Sequence, residues 1–263
     1  MSIDPGRAPL RLMTYNIHKG YAPFKRGFRL AEQREALHAQ QSDLIFLQEV
    51  CGREALPQAD TPGGPGTTAS PGSPDGMQHC EYMADKLWSS HAWARNAVTG
   101  NRAHGNAVLS RYPIVRWHNH LLEMEGDEPR GLLHCEIQLP GQDQPLHAVC
   151  VHLGLRDSHR RQQLDRLLTL VDEDVPASAS LVVAGDFNDW RLRASGALRG
   201  TGLEEVFERA DGVAARSFPS WLPTLRLDRI YVRHVRHART LRLTPHPWSR
   251  LSDHLPLAAE IEI

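Results

Sequence analysis

The sequence predicts a layered α/β protein, with sheets on the inside and helices on the outside. Three observations predict it. Short apolar runs recur along the chain and alternate with segments of helical pattern. Several of those runs, notably Leu44-Ile45-Phe46-Leu47 and Val149-Cys150-Val151, are apolar at every position. A strand that is apolar on both faces has to be covered on both faces. Residues 158–171 instead repeat Leu164, Leu167, Leu168 and Val171 at the i, i+3, i+4, i+7 spacing, with Arg160, Arg161, Gln162 and Asp165 between them. That is the pattern of a helix with one face on a core and the other in water.

Taken in order, strands are predicted over residues 10–17, 43–50, 105–109, 131–139, 146–153, 181–187, 228–232 and 255–263, each a short apolar run. Helices fit between them, most clearly over 158–171. Residues 53–77 break the pattern with Pro62, Gly63, Gly64, Pro65 and Gly66, then Pro71, Gly72, Ser73 and Pro74. Such a stretch buries too little apolar surface to offset its ordering entropy, which predicts a flexible loop. The segments on either side of it continue one pattern, so the loop is read as an insertion into a single domain covering residues 1–263.

With 263 residues, 41% of them hydrophobic, the chain is long enough for one sizeable core. Thirty Lys and Arg against 31 Asp and Glu leave almost no net charge, which excludes long-range attraction to a polyanion. Any affinity for phosphate has to be local. The first ten residues lack a basic segment followed by an apolar run, and no stretch reaches the roughly 18 apolar residues of a membrane span. The expectation is a soluble, cytoplasmic monomer. Cys51, Cys80, Cys135 and Cys150 lie far apart without C-x-x-C spacing, so they read as small buried hydrophobes. Of fifteen histidines, most sit in polar contexts such as His118, His120, His234 and His237, where a solvated imidazole needs no function.

Uncommon polar residues appear where apolar strands end, the place at which a scaffold presents a site. Asn16, Glu49, His152, Asp186 and Asn188 follow such runs, Asp228 opens one, and Asp253-His254 precede the last. Converging on one edge, they make a cluster of three Asp, one Glu, two Asn and two His. This set suits cleavage of a phosphate ester. A hard divalent cation such as Mg2+ or Mn2+ takes oxygen ligands, which Glu49 and Asp253 supply. A water has to lose a proton, and an imidazole held by a carboxylate, His254 with Asp228, is suited to handling it. Asp186 could orient the water or protonate the leaving oxygen, while His152, Asn16 and Asn188 could donate hydrogen bonds to the phosphoryl group. Singly, each motif reads equally well as a turn or a paired buried carboxylate.

Their joint order is more specific. Thr14-Tyr15-Asn16-Ile17, Leu47-Gln48-Glu49-Val50, Val151-His152-Leu153, Gly185-Asp186-Phe187-Asn188, Leu227-Asp228-Arg229-Ile230 and Ser252-Asp253-His254-Leu255-Pro256 resemble the signature of the endonuclease/exonuclease/phosphatase superfamily, over residues 11–263. The resemblance implies a four-layer αββα sandwich of two mostly antiparallel sheets, with a Mg2+ or Mn2+ site at one end. It implies Glu49 as principal metal ligand beside Asn16 and Asp253. His254, oriented by Asp228, becomes the general base or the phosphate-polarising imidazole; Asp186 and Asn188 position nucleophile and phosphate, and His152 holds the far side of the phosphoryl group.

Substrate is less legible, because this fold serves many phosphate esters. Tyr15-Asn16-Ile17-His18-Lys19-Gly20 departs from the start of abasic-site endonucleases, and Leu225-Arg226-Leu227-Asp228-Arg229 departs from the inositol-phosphatase form. Val151-His152-Leu153 is closer to deoxyribonuclease I, the bacterial sphingomyelinases and the tyrosyl-DNA phosphodiesterases. A nuclease acting on nucleic acid is therefore the first expectation. A phospholipid phosphodiesterase, with Ser220-Trp221-Leu222-Pro223 as its apolar surface, or an inositol-phosphate phosphatase comes second, and a non-catalytic binding module third. Arg156, His159, Arg160, Arg161 and Arg166, with Arg226, Arg229, Arg233, Arg236, Arg239 and Arg242, form candidate basic patches. Arg130 and Asn106 are further candidates for phosphate contacts.

Overall fold

The computed structural model of the chain describes residues 9–53, 79–99 and 102–263. In chain order the elements are β1 (Leu10–Asn16), α1 (Leu30–Gln40), β2 (Leu44–Arg53), α2 (His79–Ala84), β3 (Ser90–Thr99), β4 (Arg102–Ser110), β5 (Ile114–Leu122), β6 (Arg130–Ile137) and β7 (Leu146–His152). Then follow α3 (Asp157–Glu173), β8 (Leu181–Asp186), α4 (Arg193–Arg199), β9 (Glu204–Glu205), α5 (Val206–Asp211), β10 (Asp228–Arg233), β11 (His237–Leu241) and β12 (Leu257–Glu262). They build two six-stranded sheets, in the orders β11-β12-β1-β2-β4-β3 and β5-β6-β7-β8-β10-β9. The pairs β1/β2 and β7/β8 are parallel and the others antiparallel. The result is the two-sheet α/β sandwich expected.

Alternation along each strand explains why the central runs are apolar throughout. Leu44 and Phe46 point between the sheets, into a core shared with Leu12, Leu133, Cys150 and Ile230. Ile45 and Leu47 point outward, against a cluster that includes Leu30 and Leu37 of α1 and Met83 of α2. In the second sheet Ala148 and Cys150 face inward, while Val149 and Val151 pack with Leu164, Leu167 and Leu170 of α3. Each such residue contributes roughly 1.5–3 kcal/mol of burial, and a one-residue slip would exchange the two sets. All four cysteines are buried and none forms a disulfide, in keeping with the reading of small buried hydrophobes.

The structure adds and corrects elements. The strands β3, β5 and β11, and the two-residue β9, were not anticipated. β3, β5, β9 and β11 lie at sheet margins, where half-exposed positions blur the apolar pattern. In β3 the buried positions include the small Ala92 and Ala94, which give little signal. The last strand starts at Leu257, two residues later than expected. Glu49 does not end its strand: β2 runs on to Arg53, and Glu49 sits at a register shift between Leu47 and Val50. Of the predicted loop over residues 53–77, all but Arg53 lies outside the described residues.

The parallel pair β7/β8 depends on a close approach. Gly185 has φ +152, and a Cβ there would lie 1.9 Å from the carbonyl oxygen of Val151. Gly185→Ala is therefore expected to destabilise the protein by roughly 3 kcal/mol. Thermal unfolding checks this, and an unchanged melting temperature would show that the two strands have room to part.

Candidate active site

Strand direction assembles the site. In each sheet the parallel pair is central, so both of its strands end at the same edge. Asn16 stands beside Gln48 in one sheet, and His152 beside Asp186 in the other. Ligands collect outside the carboxyl ends of such strands. A hydrogen bond joins the two edges: Asn16 Nδ2 donates to Asp186 Oδ2 at 3.1 Å. The predicted set converges here.

At its floor lies a buried ionic network. His254 Nδ1 donates to Asp228 Oδ2 at 2.8 Å, and its Nε2 faces Asp186 Oδ2 at 3.7 Å. The Phe218 ring packs on the imidazole with centroids 5.0 Å apart. Burial by itself would lower the His254 pKa, but Asp228, Asp186 and Asp253 together outweigh it and push it up to about 10. The surrounding carboxylates thus favour the imidazolium form of His254. Burial, reinforced by Asp228, holds the Asp186 carboxyl up to about 6 against the opposing pull of His254. His152, with Nε2 3.7 Å from Asp186 Oδ2, is driven well below its ordinary range by burial and by the cations Arg130 and His254. Asn188, in the left-handed region at φ 50, donates its backbone N–H to Asp186 Oδ1 at 2.9 Å and its side-chain amide to Leu153 O at 2.9 Å. Its Gly-Asp-Phe-Asn turn therefore fixes Asp186 from behind.

Above this floor stand the oxygen donors. The bulge in β2 puts Glu49 at φ 57 and turns its side chain out of the ladder. Asp253 has a side chain 30% exposed, and its backbone carbonyl is held by Ser220 N at 2.7 Å. Ser252 Oγ donates to Asn16 O at 2.7 Å, which binds the Asp253 loop to the end of β1. Two part-exposed carboxylates, Glu49 in the β2 bulge and Asp253 in the loop before β12, with the amide oxygen of Asn16 at the end of β1, fit a hard divalent cation in their donor chemistry. Among the described residues the trio Asp186, Asp228 and His254 has ligand atoms within 4.8 Å of one another. That trio is buried, with its histidine bound between the two carboxylates, so the part-exposed Glu49 and Asp253 are better suited to meet a substrate.

The secondary predictions divide. Arg130 is buried beside the site and binds Glu128 Oε2 at 2.8 Å. Asn106 lies between the sheets instead, donating to the carbonyls of Gly131 (2.8 Å) and Cys150 (3.2 Å), so its amide braces the strands that carry the site. Most of the basic patch is consumed internally. Arg156 and His159 pair with Asp127, Arg161 with Asp157, Arg239 with Glu260 and Arg242 with Asp211. Arg229 and Arg233 are buried and donate to backbone carbonyls. Sequence reasoning missed His18, Lys19, His104 and Glu128 at the edge of the site. The first two follow Asn16 within three residues, and that adjacency was their only signal.

With this geometry established, comparison with known proteins becomes informative. Residues 13–254 match the model of the Endonuclease/Exonuclease/phosphatase family. The chain is 43% identical over 254 residues to the uncharacterized protein YbhP of Escherichia coli K12, covering 96% of each, and equally to YbhP of Shigella flexneri. Among solved structures it is similar to an endonuclease/exonuclease/phosphatase from Beutenbergia cavernae, with TM-score 0.76, 20% identity, and 98% of this chain and 72% of that one covered. It is also similar to a humanized D. rerio TDP2, with TM-score 0.66, 18% identity, and 97% and 99% covered.

Proposed function

Since the chain belongs to the endonuclease/exonuclease/phosphatase family, whose members are generally hydrolases of phosphate esters, we propose that it is a divalent-metal-dependent phosphodiesterase acting on nucleic acid. One observation carries the reading: the buried imidazole of His254, with Nδ1 2.8 Å from Asp228 Oδ2 and Nε2 3.7 Å from Asp186 Oδ2, at the strand edges that also carry Asn16 and His152. Glu49, Asp253 and the Asn16 side-chain oxygen would hold Mg2+ or Mn2+. Such a cation, when bound, supplies charge stabilisation to the phosphoryl and leaving oxygens.

The chain's own groups divide the remaining work. With Nδ1 bound to Asp228 and carboxylates around it that favour its charged form, His254 serves as a donor to a phosphoryl oxygen rather than as the base that takes a proton. Asp186, with its carboxyl lifted towards neutrality, is the group suited to orient the attacking water and accept its proton. Asn16 and the Asn188 N–H fix the Asp186 carboxylate, and His152, neutral and beside it, presents a hydrogen bond to the other side of the phosphoryl group. We assign the protein to the cytoplasm as a monomer; among the described residues no helix is long and apolar enough to cross a membrane.

A second reading, a phospholipid phosphodiesterase, is favoured by one observation. Phe24 and Trp221 are 67% and 56% exposed, with ring centroids 6.1 Å apart, beside a groove of about 710 Å³ that Arg26 and Arg250 also line. Aromatic rings among cations are suited to a lipid surface.

A panel of single-stranded DNA, double-stranded DNA, RNA, a 5′-phosphotyrosyl oligonucleotide, sphingomyelin vesicles and an inositol phosphate, each with Mg2+, Mn2+ or EDTA, tests both. The expected result is metal-dependent cleavage of nucleic acid. Hydrolysis of vesicles that is lost in Trp221→Ala would favour the second reading. Inactivity on every phosphate diester with either metal would refute both.

A further inference from the structure

A compact cluster of opposite charges flanks the catalytic floor. Glu128, in the turn between β5 and β6, faces two cationic side chains, Arg130 and Lys19, and the imidazole of His104. Arg130 Nη1 lies 2.8 Å from its Oε2, His104 Nε2 lies 3.0 Å from its Oε1, and Lys19 Nζ lies 3.9 Å from the same oxygen. All three stand at the edge that carries the site. Lys19 comes three residues after Asn16. His104 is the register partner of Cys51, two residues past Glu49, and Arg130 adjoins Gly131, the register partner of His152. The same cations act on the site electrostatically, since Arg130, His104 and Lys19 are among the charges that hold the His152 pKa down.

The cluster is not a balanced salt bridge. Lys19 and Arg130 bring two permanent charges against one carboxylate. Arg130 is nine-tenths buried, yet its Nε has no hydrogen-bond partner; His104, also buried, has Glu128 Oε1 3.0 Å from its Nε2. Contact with His104, then Arg130 and Lys19, holds the Glu128 carboxyl down to about 2 against the effect of burial. A guanidinium edge, an imidazole and an ammonium grouped around one point recognise a tetrahedral oxyanion better than a planar carboxylate with two oxygens. The turn that bears Glu128 is itself fastened. Asp127 binds His159 at 2.6 Å and Arg156 at 3.0 Å, and Gly126 takes φ +72. Withdrawal of Glu128 therefore needs only its side chain to rotate.

We propose that Lys19, His104 and Arg130 form a second phosphate subsite, for the backbone phosphate that flanks the scissile one in a polynucleotide, and that Glu128 occupies it in the free protein. This rests on the phosphodiesterase reading for the position of the scissile group, and it makes a substrate with two neighbouring phosphates the preferred class. Glu128 then competes with the flanking phosphate, so a diester with a single phosphate gains nothing from the cradle.

Calorimetric titration of metal-free protein in EDTA, with the 5′-phosphorylated dinucleotide pTpT and with TpT, separates these cases. Glu128→Gln should bind pTpT at least about tenfold more tightly than the unaltered chain, the effect of one charged competitor removed, with TpT unchanged. Adding Lys19→Ala should cancel the gain. Both side chains are substantially exposed, at 36% and 34%, so neither change threatens the fold. Equal tightening for both ligands, or no gain for pTpT, overturns the subsite. A gain for pTpT in a protein that hydrolyses no diester with Mn2+ would keep the subsite and refute the phosphodiesterase reading.

Discussion

Glu49→Gln is expected to lower turnover about a thousandfold, the equivalent of several kcal/mol of lost charge stabilisation, without altering the fold. The amide keeps the shape of the carboxylate and loses the charge that attracts a hard cation. The bulge that sets φ 57 at this position belongs to the backbone, so the strand should accept the exchange. Calorimetry should show Mn2+ affinity falling sharply in Glu49→Gln, while melting in EDTA matches the unaltered chain. Retention of full Mn2+ affinity would remove Glu49 from the donor set and return attention to the buried trio of Asp186, Asp228 and His254.

The pair Asp228 and His254 should behave as one unit. Asp228→Asn, His254→Ala and the double variant are each expected to lose activity on the order of a hundredfold to ten-thousandfold, with losses that do not add. The cause is visible in the 2.8 Å bond between them: without Asp228 the buried imidazole loses the partner that orients it and helps to hold its charge, and without His254 the charge itself is gone. NMR titration of the metal-free protein gives a reading independent of turnover. His254 should remain an imidazolium through pH 8, and in Asp228→Asn its midpoint should fall by roughly 1–3 pH units. The sign for stability follows from the same shift. A histidine raised from 6.5 to about 10 contributes stability that is complete below pH 6.5 and is lost as pH rises through 10. Asp186, raised to about 6, acts in the same direction, its contribution fading between pH 3.8 and 6. Alkaline pH should thus lower the melting temperature of the unaltered chain more than that of His254→Ala. Additive losses in the double variant would mean that the two residues act separately.

What the sequence revealed, and what it hid, follows from where residues lie in the sandwich. Strands covered on both sides, such as β2, β7 and β8, announce themselves, because both of their faces must be apolar. Marginal strands such as β5 and β11 have wet faces and read as ordinary polar chain. The polar residues that gather at the joined strand edges, Asn16, His152, Asp186, Asp228 and His254, stood out in the sequence because such types are costly to place beside apolar runs without a purpose. The bulge at Glu49 was not, because a left-handed carboxylate inside a strand leaves no trace in composition. The bracing of Asn106 was hidden for a related reason: nothing in the local sequence shows that its amide reaches two carbonyls across the sheet gap. Lys19, His104 and Glu128 come together only through pairings separated by dozens of residues, which no local pattern records.

The place of β1 has a consequence for the life of the chain before folding is complete. β1 is hydrogen-bonded to β2 on one side and to β12, the last strand in chain order, on the other, and Ser252 clasps Asn16 across 236 residues. While a ribosome is still adding residues, β1 can join β2, but its other flank has no neighbour, and neither Asp253 nor His254 has yet arrived. A nascent chain thus carries half of a catalytic centre and a bare strand edge. Such long-range closure slows folding. It also means that the proposed centre is complete only when β12 docks, so a stalled or truncated product would lack Asp253 and His254.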